Sequence, residues 1–121
     1  MSESKNKRRI GNEYEEKAAD FLKQQGYQIL EKNYFGRSGE IDLIAKEDCY
    51  YVFIEVKYRA KSKYGLPEEA IDYRKIQHIT KTAMEYMREH HMSELVPCRF
   101  DVVVVLEEEI KLIQNAFDAM M

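Results

Sequence analysis

The apolar positions of this chain follow first a helical spacing and then a strand-like one. Between residues 10 and 25 they recur every three or four positions, which predicts an amphipathic helix, and Gly26 follows as a helix stop. Residues 27–34 are typical of a strand, and two more strand-like runs lie within residues 39–59. The first half of the chain therefore predicts one helix followed by three strands.

The second half predicts another helix and two more strands. A helical pattern covers residues 72–90 and would turn inward Ile76, Ile79, Ala83, Tyr86 and Met87. Residues 99–106 include four consecutive valines, and such a run, apolar on both faces, is typical of a central strand. A glutamate-rich turn at residues 107–109 leads to a last strand at residues 110–114. This order predicts an α/β fold.

Composition fits one soluble domain with a basic start. The chain has 121 residues, of which 45% are hydrophobic and 34% charged, and this suffices for a single core. We therefore expect a flexible basic arm at residues 1–9 and a single domain at residues 10–121. The net charge of −3 does not by itself indicate a polyanion binder, so any nucleic-acid surface must be a local patch.

The chain shows no pattern for a membrane or an oxidising compartment. It has no apolar run of about 18 residues and no signal-like stretch, so a cytoplasmic location without a membrane partner is expected. Its two cysteines, Cys49 and Cys98, lie far apart in strand-like runs with no nearby histidine pattern. We interpret both as small core thiols rather than zinc ligands.

The candidate chemistry lies in residues 39–59, which read GEIDLIA, a break, and then CYYVFIEVKYR. A two-residue turn at residues 47–48 would set Asp42 opposite Phe53 in a hairpin. Side chains alternate between the two faces of a strand. One face would therefore carry Glu40, Asp42, Glu55 and Lys57, and the other Ile41, Leu43, Val52, Ile54 and Val56.

Carboxylates that share one face indicate a cation site. Diagonal neighbours across a hairpin lie about 7 to 8 Å apart, so Asp42 and Glu55 could reach one ion. Crowded carboxylates repel one another unless a cation lies between them, and oxygen ligands favour Mg²⁺ or Mn²⁺. Glu15 borders the buried face of the first helix, where it either caps a core edge or faces the site. The alternative is a solvated polar face.

Basic residues follow this stretch and begin the second helix. Lys57, Arg59, Lys61 and Lys63 alternate along the chain into a loop with no acid among them, which makes this the best candidate phosphate patch. Arg74 and Lys75 near the start of the second helix oppose its dipole, which suggests an anionic partner. Solvated side chains are the alternative. His78 has no ligand pattern around it, and Asp101 at the head of the central strand could stand near the site.

In their order, these blocks resemble the YraN-like family of predicted endonucleases, within the PD-(D/E)XK nuclease superfamily and similar to Holliday junction resolvases. The resemblance covers nearly the whole chain, although Tyr14 stands where that family often has glycine. It rests on Gly11, Glu15, Ala18, Ala19, Gly26, Tyr27, Asn33, residues 39–45, residues 53–59, Lys75, residues 99–103 and residues 115–117. It implies a restriction-endonuclease-like αβββαβ core, with a mixed central sheet flanked by helices.

The resemblance also implies an activity, the metal-dependent endonucleolytic hydrolysis of phosphodiester bonds in DNA, including branched or junction DNA. Asp42 and Glu55 would be the ligands of Mg²⁺ or Mn²⁺, together with the main-chain carbonyl of Val56. Lys57 would be the catalytic lysine. Neighbouring carboxylates favour its charged form, so we expect it to orient the nucleophile and stabilise charge on the phosphate. Glu15 would face the site from the first helix and orient a water or a ligand.

The partner implied is nucleic acid, with DNA the leading candidate. Its backbone would be held by Arg59, Lys61, Lys63, Arg74 and Lys75. An enzyme that cuts a junction makes two symmetric incisions, so a homodimer would be natural, although the sequence shows no dimer surface. Two alternatives remain: a non-catalytic nucleic-acid-binding module on the same fold, and a small α/β interaction protein with a charged face. Only a nuclease requires Asp42 for metal-dependent cleavage.

Overall fold

The helices and strands follow one another in the predicted order. A computed structural model describes residues 3–59 and 72–120, with only the backbone described for residues 3–12. Its elements are α1 (Glu3–Gln24), β1 (Gln28–Gly36), β2 (Gly39–Glu47), β3 (Tyr50–Tyr58), α2 (Tyr73–Glu89), β4 (Cys98–Val105) and β5 (Ile110–Ile113). The restriction-endonuclease-like αβββαβ core is confirmed, and β5 extends it. Neither helix is long and apolar enough to cross a membrane within the described residues.

The five strands form one mixed sheet in chain order, from β1 to β5. Neighbouring strands are antiparallel except β3 and β4, which are parallel. A parallel pair needs a long crossover, and α2 lies in the connection between these two strands. The four consecutive valines of β4 are all buried, which confirms the prediction of a strand covered on both faces.

Each helix covers a separate apolar cluster. The α1 cluster includes Ala18, Ala19, Leu22, Leu43, Ala45, Val52, Ile54, Val103 and Val105. The α2 cluster includes Tyr34, Ile41, Ile44, Phe53, Ile79, Ala83, Tyr86 and Phe100. Because adjacent residues of β2 and β3 pack into different clusters, the alternation of side chains along these strands separates the two halves of the core.

The helix ends agree with the local sequence. The Gly26 N–H donates to the Lys23 carbonyl at 3.1 Å and the Tyr27 N–H to the Leu22 carbonyl at 2.9 Å, which is a Schellman motif with Gly26 at φ 97°. Asp72 caps α2, since its carboxylate accepts the Lys75 N–H at 2.9 Å. At its N-terminus, α1 begins at Glu3, so the helical backbone includes part of the arm predicted at residues 1–9. Residues 1 and 2 lie outside the described residues.

Three details of the hairpin and its cysteines differ from the predictions. Residues 48 and 49 form the turn between β2 and β3, so Ile44, not Asp42, pairs with Phe53. The shift is by two residues, so Leu43, Val52, Ile54 and Val56 keep their predicted common face. Ile41 is an exception, because it packs in the α2 cluster whereas Leu43 packs in the α1 cluster. Cys49 is exposed at the turn and Cys98 is only partly buried, so neither is a fully buried core thiol.

A buried polar network joins β4 to β2, to the connection between α1 and β1, and to the segment after β5. Asp101 is 0% exposed and accepts two hydrogen bonds from the Arg99 guanidinium, at 2.9 and 3.0 Å. It also accepts the Tyr27 hydroxyl at 2.7 Å and the Asn115 N–H at 2.9 Å. Arg99 donates further to Glu47 at 3.0 Å. The carboxylate of Asp101, which the sequence suggested could stand near the candidate site, is thus bonded within this network.

The turn between β1 and β2 is fixed to α2 by one carboxylate. The Arg37 and Ser38 backbone N–H groups donate to Glu85 at 2.6 and 3.0 Å. These bonds, led by that from Arg37, lower the pKa of Glu85. Gly36 lies directly beneath this contact, since a Cβ atom there would be 2.7 Å from Glu85 Oε2 and 3.2 Å from Thr82 Cγ2. The absence of a side chain at residue 36 therefore allows the contact.

We expect Gly36→Ala to lower the free energy of unfolding by about 1 to 2 kcal/mol, because the new methyl group displaces Glu85 from the turn N–H groups. Urea unfolding of wild type and variant measures this loss. The control is the same substitution in a Glu85→Ala background. Its cost there should shrink, since no carboxylate remains to be displaced. An equal cost in both backgrounds would contradict this explanation.

Candidate functional site

The candidate site begins where β2 and β3 separate. Their pairing ends at Leu43 and Ile54, although a continued ladder would next pair Asp42 with Glu55 and then Ile41 with Val56. Instead, the Val56 N–H donates to Asp42 Oδ2 at 2.8 Å. The N–H and C=O groups of one strand residue point to the same neighbouring strand, so the Val56 carbonyl faces the same gap. Asp42 thus replaces main-chain pairing with a carboxylate held between two strands.

This position is electrostatically unfavourable for an ionised carboxylate. Burial is the main cause that raises the pKa of Asp42, and the neighbouring Glu55 carboxylate raises it further, to about 8. The bond from the Val56 N–H opposes this rise, Glu15 adds to it, and Lys75 opposes it weakly. The nearby donors therefore do not fully compensate the charge that Asp42 carries when it is ionised.

Glu55 is more deeply buried than Asp42, with 5% of its surface exposed. Its Oε1 atom lies 3.5 Å from Lys57 Nζ and 3.4 Å from Lys75 Nζ. Charge-assisted hydrogen bonds are typically about 2.7 to 2.9 Å, so both ion pairs are loose. Lys75 belongs to the first turn of α2, and its position shows how that helix contributes to the site. Two ammonium groups thus lie near this buried carboxylate without bonding it tightly.

Glu15 brings a third carboxylate from α1. It is partly buried, and its Oε1 atom is buried with no hydrogen-bond partner within the part of the chain that the structure describes. Burial is the largest cause that raises the pKa of Glu15, the nearby Asn33 amide lowers it, and the Glu40 and Glu55 carboxylates raise it. Asp42 also lies close enough to affect this pKa. The helix carboxylate expected from the sequence therefore borders Asp42 and Glu55.

These oxygen donors fit a divalent cation. Across residues 3–59 and 72–120, no three His, Cys, Asp or Glu side chains are grouped closely enough to hold an ion by themselves. Mg²⁺ usually takes one or two protein carboxylates and completes its shell with water and phosphate oxygens, so two carboxylates suffice. The raised pKa of Asp42 and the unpartnered oxygen of Glu15 are both features that a cation would relieve. Asp42 and Glu55 would hold it, with the Val56 carbonyl beside them.

A basic cleft opens beside the carboxylates. Its described lining consists of Lys57, Asp72, Arg74, Lys75 and His78. The structure therefore brings together three of the basic residues predicted from the sequence. The structure also places His78 in this cleft. His78 follows Arg74 by one helical turn, so this spacing could have identified it from the sequence. We name these five residues the site cleft.

Arg59 is not among the described lining residues of the site cleft. Arg59 follows the end of β3, and its guanidinium donates to the Tyr58 carbonyl at 2.9 Å. Lys61 and Lys63 lie outside the described residues. Close to this strand end, the Tyr58 ring stacks on Tyr14 with a centroid distance of 4.2 Å. Tyr14 thus packs α1 against β3 at the position where glycine was the expected residue.

Comparison with known proteins identifies close relatives of similar length. A UPF0102 protein of Lachnoclostridium phytofermentans is 54% identical over 114 residues, which cover 94% of this chain and 97% of the relative. One from Caldicellulosiruptor saccharolyticus is 45% identical over 93% of this chain and 99% of the relative. One from Vibrio parahaemolyticus is 38% identical over 91% of this chain and 93% of the relative.

The model of the uncharacterised protein family UPF0102 matches residues 14–105, which include Glu15, Asp42, Glu55 and Lys57. The matched residues also include the second half of α1 and all of β2, β3 and α2, the elements that form the candidate site. Together with the similarity to the three relatives, it confirms the family resemblance drawn from the sequence motifs. The chain therefore belongs to the uncharacterised protein family UPF0102, the YraN family.

Proposed function

We propose that this protein is a divalent-metal-dependent endonuclease that hydrolyses phosphodiester bonds in DNA. The observation that carries the proposal is the Asp42 carboxylate, held between β2 and β3 by the Val56 N–H at 2.8 Å and adjacent to Glu55. A fold without a function at this point would gain stability by completing the ladder or by placing a neutral side chain there. An acidic pair beside a basic cleft is suited to a phosphate ester and a cation.

Asp42 and Glu55 would hold Mg²⁺ or Mn²⁺, with the Val56 carbonyl as a further oxygen donor. When bound, the cation supplies Lewis-acid chemistry to the scissile phosphate and to the attacking water. Glu15, whose Oε1 atom has no partner among the described residues, would orient a water on the α1 side of the site. The protein thus contributes fixed negative charge and the positions of the reacting groups.

Lys57 would stabilise the negative charge that develops on the phosphate. Its ammonium group lies 3.5 Å from Glu55 Oε1 and lines the open cleft, so it faces both the carboxylates and the approaching substrate. In this position the ammonium group would act as an electrostatic stabiliser rather than as a base. Lys75 would compensate Glu55 when Lys57 engages the phosphate, since its ammonium group is 3.4 Å from the same oxygen.

Arg59, Arg74 and Lys75 would hold the DNA backbone, together with Lys61 and Lys63. Contacts of this kind give an affinity that falls steeply with salt and carries little base specificity. Branched DNA is a natural substrate to test, because phosphate contacts recognise the geometry of a backbone rather than its sequence. Paired cleavage of a junction would also call for a homodimer.

The test is cleavage of labelled junction, flap, single-stranded and duplex DNA with Mg²⁺ or Mn²⁺. Wild type is compared with Asp42→Ala and Lys57→Ala, prepared identically. We expect metal-dependent products from wild type alone, with the preferred substrate defining the class of DNA. The same products from all three proteins would instead indicate a contaminating nuclease and leave this proposal without support.

The second candidate is a non-catalytic nucleic-acid-binding module. It is favoured by one observation, the two ammonium groups within 3.5 Å of Glu55, which compensate its charge without any ion. This candidate predicts junction binding that does not depend on Mg²⁺ and no products with any protein. Removal of Asp42 distinguishes the two candidates. In an endonuclease it should abolish cleavage and leave or tighten the binding of DNA, whereas in a binding module it should change little.

A further inference from the structure

The outward face of α2 carries a straight row of three cations. Arg74, Lys81 and Arg88 are all exposed and lie seven residues apart. Seven residues make nearly two helical turns, so the three side chains project from one line along the helix. At a rise of about 1.5 Å per residue the row spans about 21 Å. We name these three residues the α2 row.

The α2 row has no ion-pair partner among the side chains that the structure describes. None of its three residues forms an ion pair within residues 3–59 and 72–120, whereas an exposed lysine on the opposite side, Lys32, pairs with Glu16 at 2.7 Å. The chain as a whole has a net charge of −3. Three cations are therefore grouped on one helix face of a chain with net negative charge, which indicates an anionic partner rather than general solubility.

A second element adds to this face. The described lining of a second open cleft, distinct from the site cleft, is Arg37, Ser38, Lys81, Met84, Glu85 and Arg88. Arg37 comes from the turn between β1 and β2, and the bonds from that turn to Glu85 fix it against α2. Because those bonds engage the Glu85 carboxylate, its charge is partly offset within the cleft. Cations from two elements thus converge on one surface.

This surface continues from the candidate site. Arg74 is shared by the α2 row and the site cleft, and Lys75 and His78 line the site cleft from the same helix. A backbone that enters at Lys57 can therefore pass Arg74 and continue to Lys81 and Arg88. We infer that α2 binds a double-stranded arm of the nucleic-acid substrate through its phosphates, an inference that rests on the proposed function for the position of the scissile bond.

The chemistry of the surface favours a duplex over a single strand. Proteins that bind single strands generally stack bases on aromatic side chains, and no aromatic residue lines the second cleft within the described residues. Arg and Lys on the crest of a helix contact phosphates, which a duplex presents at regular intervals without exposing its bases. At about 3.4 Å per base pair, a row of about 21 Å corresponds to about six base pairs.

The test is the binding of a labelled blunt duplex and of a single strand of the same length, measured by fluorescence anisotropy in a chelator. Lys81→Ala/Arg88→Ala is compared with wild type and with a control, Lys23→Ala/Lys111→Ala. The control removes the same charge from exposed positions on α1 and β5. Single Lys81→Gln and Arg88→Gln variants serve if the double variant fails to fold.

We expect the α2 double variant to weaken duplex binding about tenfold and to make the salt dependence of log K shallower by about 2, with a smaller effect on the single strand. The control should bind as wild type does. Equal effects of the two double variants would overturn the inference, because net charge alone would then explain them. A larger loss for the single strand than for the duplex would overturn the assignment to a double-stranded arm.

The same experiment separates this inference from the proposed function, because a chelator removes catalysis from the readout. Duplex binding that needs Lys81 and Arg88, without cleavage in Mg²⁺, would support the inference and count against an endonuclease. Cleavage that needs Asp42 but is indifferent to Lys81 and Arg88 on long duplexes would support the endonuclease and overturn the inference. Wild-type dimers that dissociate in the α2 double variant would assign the surface to a second copy of the chain and also overturn it.

Discussion

Replacement of Asp42 by asparagine is expected to abolish cleavage and at the same time to stabilise the fold at neutral pH. Cleavage should fall at least about 1000-fold, because metal assistance supplies several kcal/mol and each 1.4 kcal/mol is about a factor of ten. Asparagine keeps an oxygen that can accept the Val56 N–H, so the local structure should persist. The loss would then reflect the missing charge rather than a collapsed site.

The stabilisation follows from the pKa of Asp42, which the folded state raises from 3.8 to about 8. The folded protein therefore binds this proton more tightly than the unfolded chain does. Its contribution to stability is fully present below about pH 4 and is lost as the pH rises to about 8. Asparagine does not ionise, so the variant should exceed wild type by on the order of 1 to 3 kcal/mol at pH 8 and by little at pH 4.

Urea unfolding in a chelator at both pH values measures this difference. Asp20→Asn is the matched control, since Asp20 is an exposed acid on α1 and its substitution should change stability by less than about 0.5 kcal/mol. Addition of Mg²⁺ should stabilise wild type more than Asp42→Asn. An asparagine variant less stable than wild type at pH 8 would contradict this view of the site.

The grouping of Asp42 with Glu55 could be predicted because it depends only on the alternation of side chains in a hairpin. The actual turn lies at residues 48 and 49, and the sequence around it has no Asn-Gly or Asp-Gly pair that would define the register. Asp48 adopts φ 57°, a conformation in which aspartate is among the more tolerated residues. Leu43, Val52 and Ile54 keep their predicted common face because the register moved by two residues, an even number.

The gap between β2 and β3 could not be predicted in the same way. Alternation places Ile41 with Leu43, but Ile41 packs under α2, and the strands have separated at that point. The point at which the strands separate depends on how both helices fill the core. Local sequence patterns carry no information about that packing. The contact of Glu85 with Arg37 and Ser38 is similarly remote in sequence. By contrast, the spacing of Arg74, Lys81 and Arg88 can be read from the sequence, and only the finding that they have no ion-pair partner among the described side chains required the structure.

Replacement of Arg99 by methionine is expected to lower the free energy of unfolding by about 3 to 5 kcal/mol, because it leaves the fully buried Asp101 carboxylate without its counter-ion. Hydrogen bonds with Asp101 raise the pKa of Arg99, so the guanidinium is charged at every accessible pH. Burial raises the pKa of Tyr27 to about 12, so its hydroxyl remains a donor to Asp101. That one donor and the Asn115 N–H offset only part of the buried charge.

Urea unfolding again provides the measurement, with Arg88→Met as the matched control. Arg88 is exposed on α2, so the control should change stability by less than about 0.5 kcal/mol. If the buried charge causes the loss, Asp101→Asn should recover at least about 1 kcal/mol in the Arg99→Met background, because asparagine is neutral and still accepts the Asn115 N–H. A double variant no more stable than Arg99→Met would instead attribute the loss to the contacts of the guanidinium with the Tyr27 and Tyr50 rings.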